Sequence, residues 1–418
     1  WAIILQASIA KRGKSRSPSH NRIMWFYQVL TVLLISSIPF FEKQFVYYDN
    51  PPLVVTTIQF FSIILLPIFI KLLFLDIKSR FAPTFFFIAL LIPLAISTIY
   101  SINVTHSGII LSLFASYFVI FVSTKTIFST FRSKEILVLT FILISSILSA
   151  ISLYNTLILQ EINKDHVNFF GIFYGHNHLS ALLVFSIPLS LYFLKSYWNN
   201  KRIRILSIII CTLLIISLLF TLSIGAMLSL GISFVLGSFL FGKNLIPKKV
   251  FYGMFIFLTF FALLTLLYFS QSKGIDSLDF KKNPLIHASH RLIFWQRAYD
   301  NFLEKPLTGH GLDTYGLVKV NDQTPPHSSN AHNFFVQTLS DAGIFGFFAV
   351  IMLVASIFKK GYDITKKNLS KKKSLFFISL FIAILSSVLF AAIDFDWYLP
   401  TVSIYFWVFA GFLTSYVK

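Results

Sequence analysis

The chain has 418 residues, of which 56% are hydrophobic and only 12% are charged, and this composition excludes an ordinary soluble domain. Fifty Phe and a single Cys exclude intrinsic disorder and a disulfide-rich secreted scaffold as well. The net charge of +19 would indicate nucleic-acid binding only if Lys and Arg formed a patch on a folded surface, and here they lie in short segments between apolar runs.

Apolar runs long enough to cross a bilayer recur along the chain. A helix that rises about 1.5 Å per residue needs about 20 residues to cross a hydrocarbon layer about 30 Å thick. About twelve runs reach this length, so we predict an all-α polytopic membrane protein with about twelve transmembrane helices. The predicted spans are residues 23–41, 52–75, 81–100, 106–128, 135–159, 172–194, 203–221, 224–241, 250–270, 334–358, 374–393 and 397–416.

The distribution of basic residues predicts the orientation of these spans. Alternate loops, together with both ends of the chain, contain 26 of the 35 Lys and Arg residues. Because basic residues concentrate in cytoplasmic loops, both termini are predicted to be cytoplasmic. The net positive charge is then explained by the orientation of the chain in the membrane, and no nucleic-acid partner is needed to account for it.

One outer segment, residues 271–333, is too polar to span the membrane and too long for a turn. Long loops in compact folds are usually functional. The prediction is therefore an N-terminal block of about nine helices in residues 1–270, a functional outer loop in 271–333, and a C-terminal block of about three helices in 334–418. Five of the ten His residues lie in this loop, between the ninth and tenth spans.

The first motif of the loop is an amphipathic helix predicted over residues 288–304, with Ser289 as its N-cap. Arg291 and Trp295 are four residues apart and share a helix face. A guanidinium held against the indole ring can bind a phosphate or a carboxylate. The alternative is an interfacial helix at the lipid headgroups, with Arg291 in solvent.

After this helix the chain reads KPLTGHGLDTYG, in which Pro306 ends the helix. Gly309 and Gly311 allow a tight turn whose backbone can approach a ligand closely.

The second motif contains His332. Ser329 or Asn330 is a suitable N-cap for the following helix, which would place His332 in the first helical turn. The partial positive charge of a helix start favours a neutral imidazole, the form that a general base needs. Asp341 lies about half a turn away in angle, so we do not expect it to orient the imidazole. A structural role for His332 is the alternative.

Together the two motifs resemble the bacterial O-antigen ligase and polymerase superfamily, whose members are multi-pass inner-membrane enzymes. The motifs cover about a third of the chain, and Asn177 lies in an earlier segment that resembles a further family motif. The residues that carry the resemblance are Ser289, Arg291 and Trp295, then Pro306, Gly309 and Gly311, then His332 and Asn333, and finally Asp341, Gly343 and Gly346.

The resemblance implies an inverting glycosyltransferase without metal or cofactor. It would move a glycan from undecaprenyl diphosphate to an acceptor hydroxyl on the periplasmic side of the bacterial inner membrane, among membrane lipids. His332 is implied as the general base and Arg291 as the group that binds the diphosphate. The acceptor is expected to be lipid A core, with a growing glycan or a protein hydroxyl as alternatives. Further candidates for substrate binding are Asn333, Trp295, His327, Gly309, Gly311, Asn177, Lys281, Lys282 and Arg297.

The chain departs from the family at two positions. Gly175 replaces the first Asn of the motif around Asn177, and the second departure bears on donor binding. Residues 223–226 align with a family Ser-Arg-Gly-Ala motif, but residue 224 is Ile instead of Arg. Another cation then has to replace that arginine, or donor binding differs. The candidate cations are Lys281, Lys282, Arg297, Lys305 and Lys319.

Two other interpretations of the sequence compete. Asp394 and Asp396 are either a metal-binding pair, joined by Glu42 and Asp49, or an interfacial helix cap. His176, His178 and His166 form a weaker candidate metal site.

A transporter or flippase of lipid-linked sugars is the alternative from another functional class. Transporters usually place ionisable groups at mid-membrane, however, and here the polar groups concentrate in an outer loop.

Overall fold

The computed structural model describes residues 18–41, 53–76, 83–157, 176–242, 284–318 and 328–415, which form twelve α-helices and no strand. Three short 3-10 helices, Ile38–Phe41, Tyr315–Leu317 and Asp396–Tyr398, lie between them. The helices are α1 (Pro18–Ser37), α2 (Leu53–Asp76), α3 (Pro83–Ile99), α4 (Val104–Ile127), α5 (Phe131–Leu157), α6 (His176–Ser196), α7 (Lys201–Phe220), α8 (Ile224–Phe241), α9 (Pro284–Glu304), α10 (Phe334–Thr365), α11 (Lys371–Ala391) and α12 (Pro400–Thr414).

Eleven of the predicted spans coincide with a helix, and the span predicted at 250–270 lies outside the described residues. Nine of the helices in the described ranges are long and apolar enough to cross a membrane, while α3 and α12 are apolar but shorter. The all-α class is thereby confirmed, and the repeated apolar helices indicate a multi-pass membrane protein. The count of twelve spans, the position of the long loop and the three-part division stay predictions.

Helix α12 forms the centre of the bundle. Each of its residues is buried, and it packs against α4, α10 and α11. The ring of Trp407 lies 4.5 Å from that of Phe87 and 6.2 Å from that of Phe121, measured between centroids. An apolar surface does not by itself require this position in a membrane, because lipid is as apolar as a neighbouring helix, so the close ring contacts of Trp407 are what hold α12 among the other helices. Helices α1, α2 and α7 are less than half buried and carry exposed apolar side chains, as lipid-facing helices do.

A kink in α10 connects the bundle to the segment after α9. Gly343 has a φ of 66°, which interrupts the helix and frees the carbonyl groups before it. The N–H of His310 donates to the carbonyl of Ser340, and the N–H of Gly311 donates to that of Asp341, each at 3.0 Å. Buried carbonyl groups need such partners. The segment after α9 is therefore fastened to the kink by backbone hydrogen bonds.

The glycines of this segment allow the close approach. A Cβ atom on Gly309, whose φ is 66°, would lie 2.3 Å from the backbone of Asp341. On Gly311 it would lie 1.9 Å from the hydroxyl oxygen of Ser101. The two glycines therefore pack against Asp341 and Ser101 of the protein itself, whereas the sequence predicts that their backbone approaches a ligand. The assignment of both glycines to substrate binding stays a prediction.

Candidate active site

The carboxylate of Asp394, which follows α11 and is fully buried, joins four separate groups at one end of the bundle. Its Oδ2 accepts a hydrogen bond from the Nδ2 of Asn177 at 2.6 Å and lies 3.4 Å from Nη2 of Arg291. Its Oδ1 accepts a hydrogen bond from the backbone N–H of Phe395 at 2.8 Å and lies 3.4 Å from Nδ1 of His332. The two residues predicted to be catalytic are therefore brought together by one acid.

The surroundings of Asp394 keep it ionised. Burial acts to raise the pKa of this carboxyl group, but the contact with His332 and its charge, the charge of Arg291 and the N–H of Phe395 together outweigh burial. The pKa of Asp394 lies below its usual value as a result. Asp394 is thus a carboxylate near neutral pH, the form that can orient an imidazole and hold a guanidinium.

His332 lies just before α10 and has a left-handed backbone conformation, with a φ of 49°. The helix begins at Phe334, and the side chain of Asn333 is its N-cap, accepting hydrogen bonds from two backbone N–H groups of the first turn. The prediction that His332 lies in the first turn, with Ser329 or Asn330 as the cap, is wrong. The electrostatic partner of the imidazole is the carboxylate of Asp394 rather than a helix N-terminus.

Two phenylalanine rings fix the plane of the imidazole. The ring of Phe294 stacks on it at 5.7 Å, and the ring of Phe395 meets it edge-on at 5.0 Å. The separation of 3.4 Å between Nδ1 and Asp394 is an ion-pair distance, longer than an ordinary hydrogen bond. With Nδ1 on the side of Asp394, Nε2 lies on the other side of the ring. The side chain of His332 is 26% exposed, so a substrate can reach it.

Helix α9 positions Arg291. Phe294 and Ala298 form the buried face of this helix and pack against Tyr315 and Ala331. One nitrogen of Arg291 contacts Asp394, while the side chain is 30% exposed. A guanidinium has five N–H donors, and within the described part of the chain Arg291 uses one of them on Asp394.

Helix α9 also contains three further residues that the sequence singled out, Ser289, Trp295 and Arg297. The helix begins at Pro284, so Ser289 is inside it and the prediction that Ser289 is the N-cap is wrong. Arg297 lies near Tyr315: burial raises the pKa of Tyr315 to about 12, and the positive charge of Arg297 opposes this shift. The roles of Arg297 and of the partly buried Trp295 in substrate binding stay predictions.

Asn177, at the start of α6, links two further helices to the carboxylate. Its side-chain oxygen accepts a hydrogen bond of 2.8 Å from the hydroxyl of Ser223, and its amide donates to Asp394. Ser223 is the N-cap residue of α8, whose first residue is Ile224. The position at which the family has a second arginine therefore directly follows a residue of this hydrogen-bonded chain.

The metal-site interpretation receives little support from the geometry. Both oxygens of Asp394 already contact protein groups, and Asp396 is buried rather than exposed at an interface, as a solvent-facing helix cap would be. His178 packs edge-on against the ring of Phe395 at 5.7 Å. Within the described part of the chain, no group of three or more His, Cys, Asp or Glu could hold a metal ion.

Several predicted site residues lie outside the described residues. The metal-site candidates among them are Glu42, Asp49 and His166, and the candidates for substrate binding or for replacing the arginine are Lys281, Lys282, Lys319 and His327.

Sequence reasoning missed the role of Asp394 as the partner of His332. The available signal was the scarcity of acids, because the whole chain has only 16 Asp and Glu, and two of them stand close together in the last outer loop. The pattern did not indicate which histidine this loop would meet.

Residues 209–351 match the family model described as O-antigen ligase. The family resemblance found in the sequence is thereby confirmed. The matched region is about a third of the chain and includes Arg291, Gly309, Gly311 and His332. Asn177 and Asp394 lie outside it, so the two halves of the candidate site come from the matched region and from the segments that flank it.

The chain is also similar to two Rickettsia proteins, each named as a putative polysaccharide ligase. The protein of Rickettsia typhi is 27% identical over 327 residues, which cover 73% of this chain and 75% of the relative. The protein of Rickettsia conorii is 26% identical over 184 residues, which cover 41% of this chain and 44% of the relative. The match to the latter spans less than half of that protein's length.

Proposed function

We propose that the protein is a glycosyltransferase that moves an oligo- or polysaccharide from undecaprenyl diphosphate to an acceptor hydroxyl. The O-antigen ligase match and the polysaccharide ligase relatives support the reaction class. The observation that carries the proposal is the buried carboxylate of Asp394, which contacts His332 through one oxygen and Arg291 through the other.

In this proposal His332 is the general base. Asp394 holds Nδ1, so Nε2 accepts the proton of the acceptor hydroxyl while the hydroxyl oxygen attacks the anomeric carbon of the donor sugar. A carboxylate behind the ring stabilises the imidazolium that forms, as in other acid–histidine pairs. The attack is expected to invert the configuration of the anomeric carbon.

Arg291 is proposed to bind the departing diphosphate. As the bond from the anomeric carbon to the phosphate oxygen breaks, the electron pair leaves with undecaprenyl diphosphate, and negative charge grows on its oxygens. A guanidinium near this position neutralises that charge through paired hydrogen bonds. Fixed cations can do this without a metal ion, and no metal or other cofactor is included in the proposal.

The proposal places the protein in the bacterial inner membrane with about twelve spans, both termini in the cytoplasm and the Asp394 site on the periplasmic side. The distribution of basic residues supports this orientation. Lipid A core is the first choice of acceptor. A growing glycan, as in a polymerase, and a protein hydroxyl, as in protein glycosylation, would each present the same group to the same base.

The test is a transfer assay with purified protein and an undecaprenyl diphosphate-linked glycan, in which lipid A core, free glycan and a serine-containing protein are offered in turn. We expect one acceptor to become glycosylated, and we expect His332→Ala to abolish this while the protein stays folded in detergent. His290→Ala, in the same loop, is the control for loss of a histidine.

Two results would contradict the proposal. One is activity of His332→Ala above about a tenth of wild type, since a general base commonly contributes about 100-fold or more. The other is movement of the donor across a vesicle membrane with no bond made to any acceptor, which would indicate a flippase.

A further inference from the structure

Gln337, a fully buried residue in the first turn of α10, connects the backbone beside His332 to a group of polar side chains. Its side-chain oxygen accepts a hydrogen bond of 2.9 Å from the N–H of Ala331, the residue before His332. We propose that Gln337 is a positioning residue that holds His332 against Asp394. This inference rests on the proposed function, in which His332 is the general base.

The backbone of His332 needs such support. A left-handed conformation is unfavourable for a residue with a side chain, and it persists where neighbouring contacts determine it. On the C-terminal side, the N–H of Phe334 donates to the carbonyl of Asp394 at 3.2 Å. On the N-terminal side, the N–H of Ala331 donates to Gln337 and so holds the backbone there.

The orientation of the Gln337 amide is determined by its surroundings. Its Nε2 lies 3.4 Å from an oxygen of Asp341, 3.5 Å from one of Asp313 and 3.3 Å from the side-chain oxygen of Asn330. The N–H of Ala331 can only donate, so the amide oxygen of Gln337 must face it, and the amide nitrogen then faces the side-chain oxygens of the other three residues. Asp341 is itself fixed by the hydroxyl of Tyr398 at 2.8 Å and by the N–H of Asp313 at 3.0 Å.

Loss of the Gln337 oxygen would act on the base through the backbone. Ala331 is fully buried beside Phe294 and Tyr315, so its N–H would be left without a partner in an apolar cluster. The peptide would then rotate, and the imidazole of His332 would move relative to Asp394. A displacement of about 1 Å can lower a rate about 100-fold, while substrate binding elsewhere in the site is retained.

Three substitutions test this. Gln337→Met keeps the size of the side chain and removes the acceptor, and Gln337→Asn keeps an amide that is too short to reach Ala331. Gln337→Glu keeps the length and the acceptor. Beside Asp313 and Asp341 a glutamic acid takes up a proton, so that its O–H donates in place of the amide. Gln296→Met, on the exposed face of α9, is the matched control.

The measurements are the transfer rate at saturating donor and acceptor, the KM for donor, and thermal unfolding in detergent. We expect Gln337→Met and Gln337→Asn to lower the saturated rate about 10- to 100-fold, with the donor KM within about twofold of wild type. Gln337→Glu should recover most of the rate, and Gln296→Met should behave as wild type.

Three outcomes would overturn the inference: a wild-type rate in Gln337→Met, a rate in Gln337→Glu no better than in Gln337→Met, or loss of folding in both the Met and the Asn variants. Each is distinguishable from failure of the proposed function. That function fails if wild type makes no product or if His332→Ala stays active, and neither result depends on Gln337.

Discussion

The imidazole of His332 faces the carboxylate of Asp394, with 3.4 Å between Nδ1 and Oδ1. The same two segments are also joined through the backbone, where the N–H of Phe334 donates to the carbonyl of Asp394. The loop that carries the candidate base and the turn that carries its partner are therefore fixed to each other by a main-chain and a side-chain contact. Movement of either segment would change the environment of the imidazole.

Asp394→Asn should lower the transfer rate about 100-fold or more, because an amide has the shape of the carboxylate but cannot stabilise the imidazolium. The protein should still fold, since an asparagine can accept the hydrogen bond from Asn177 through its oxygen. The measurement is the saturated transfer rate. Asp363→Asn, whose acid pairs with Lys359 on an exposed part of α10, is the control and should keep the wild-type rate.

The pKa of Asp394 gives a pH prediction for stability. Because its pKa in the folded protein lies below the usual value of 3.8, the carboxylate contributes stability above that value, and this contribution is lost as pH falls through the folded pKa. The difference in unfolding temperature between wild type and Asp394→Asn should be largest near pH 5 and should shrink as pH falls below about pH 4. A difference that disappears already between pH 5 and 7 would mean that Asp394 titrates there.

Arg291→Lys should lose most of the activity and should raise the KM for the lipid-linked donor rather than for the acceptor. A guanidinium holds a diphosphate through two parallel charge-assisted hydrogen bonds, which the single ammonium of lysine reproduces poorly. Kinetics with donor and acceptor varied separately measure this. Arg204→Lys, on exposed α7, is the matched control, and an unchanged donor KM in Arg291→Lys would reduce Arg291 to a structural anchor.

Ile224→Arg, which restores the family arginine, should not raise the activity. Ile224 begins α8 beside Ser223, whose hydroxyl is engaged by Asn177, and a new charge at a partly buried position needs a partner. The transfer rate and the donor KM are the readouts. A rate above wild type together with a lower donor KM would show that the site has kept a place for the second arginine.

Chelation should not slow the reaction, because Arg291 is proposed to neutralise the diphosphate. The transfer rate is measured after treatment with EDTA and again after addition of Mg²⁺ or Mn²⁺. Loss of activity on chelation, with recovery on addition of metal, would instead support metal binding by Asp394 and Asp396.

Gly309→Ala should destabilise the protein by more than about 1 kcal/mol, because Gly309 has a positive φ and its added Cβ would lie 2.3 Å from the backbone of Asp341. Gly108→Ala, inside α4 with nothing within 4 Å of the added Cβ, is the matched control. It should be neutral or stabilising by up to about 1 kcal/mol. Thermal unfolding in detergent compares the two, and equal unfolding temperatures would contradict this reading of the kink.

The sequence by itself determined the all-α class and the position of most helices. A run of about 20 apolar residues has few alternatives to a helix in a bilayer, because its backbone must satisfy its own hydrogen bonds there. The prediction of 224–241 for α8 agrees with the observed Ile224–Phe241 for this reason. The motifs of the long outer segment also singled out Arg291 and His332, and the resemblance to the family singled out Asn177.

Only the tertiary structure decided what these residues contact. Hydropathy is a local property. It predicts the span at 334–358, but neither the left-handed conformation of His332 just before α10 nor the kink at Gly343 follows from it, since both depend on hydrogen bonds with distant segments. The meeting of His332 with Asp394 depends in the same way on how α10 and α11 pack. A buried ionic contact forms where folding brings a carboxylate and a cation together, and the spacing of residues along the chain does not encode that distance.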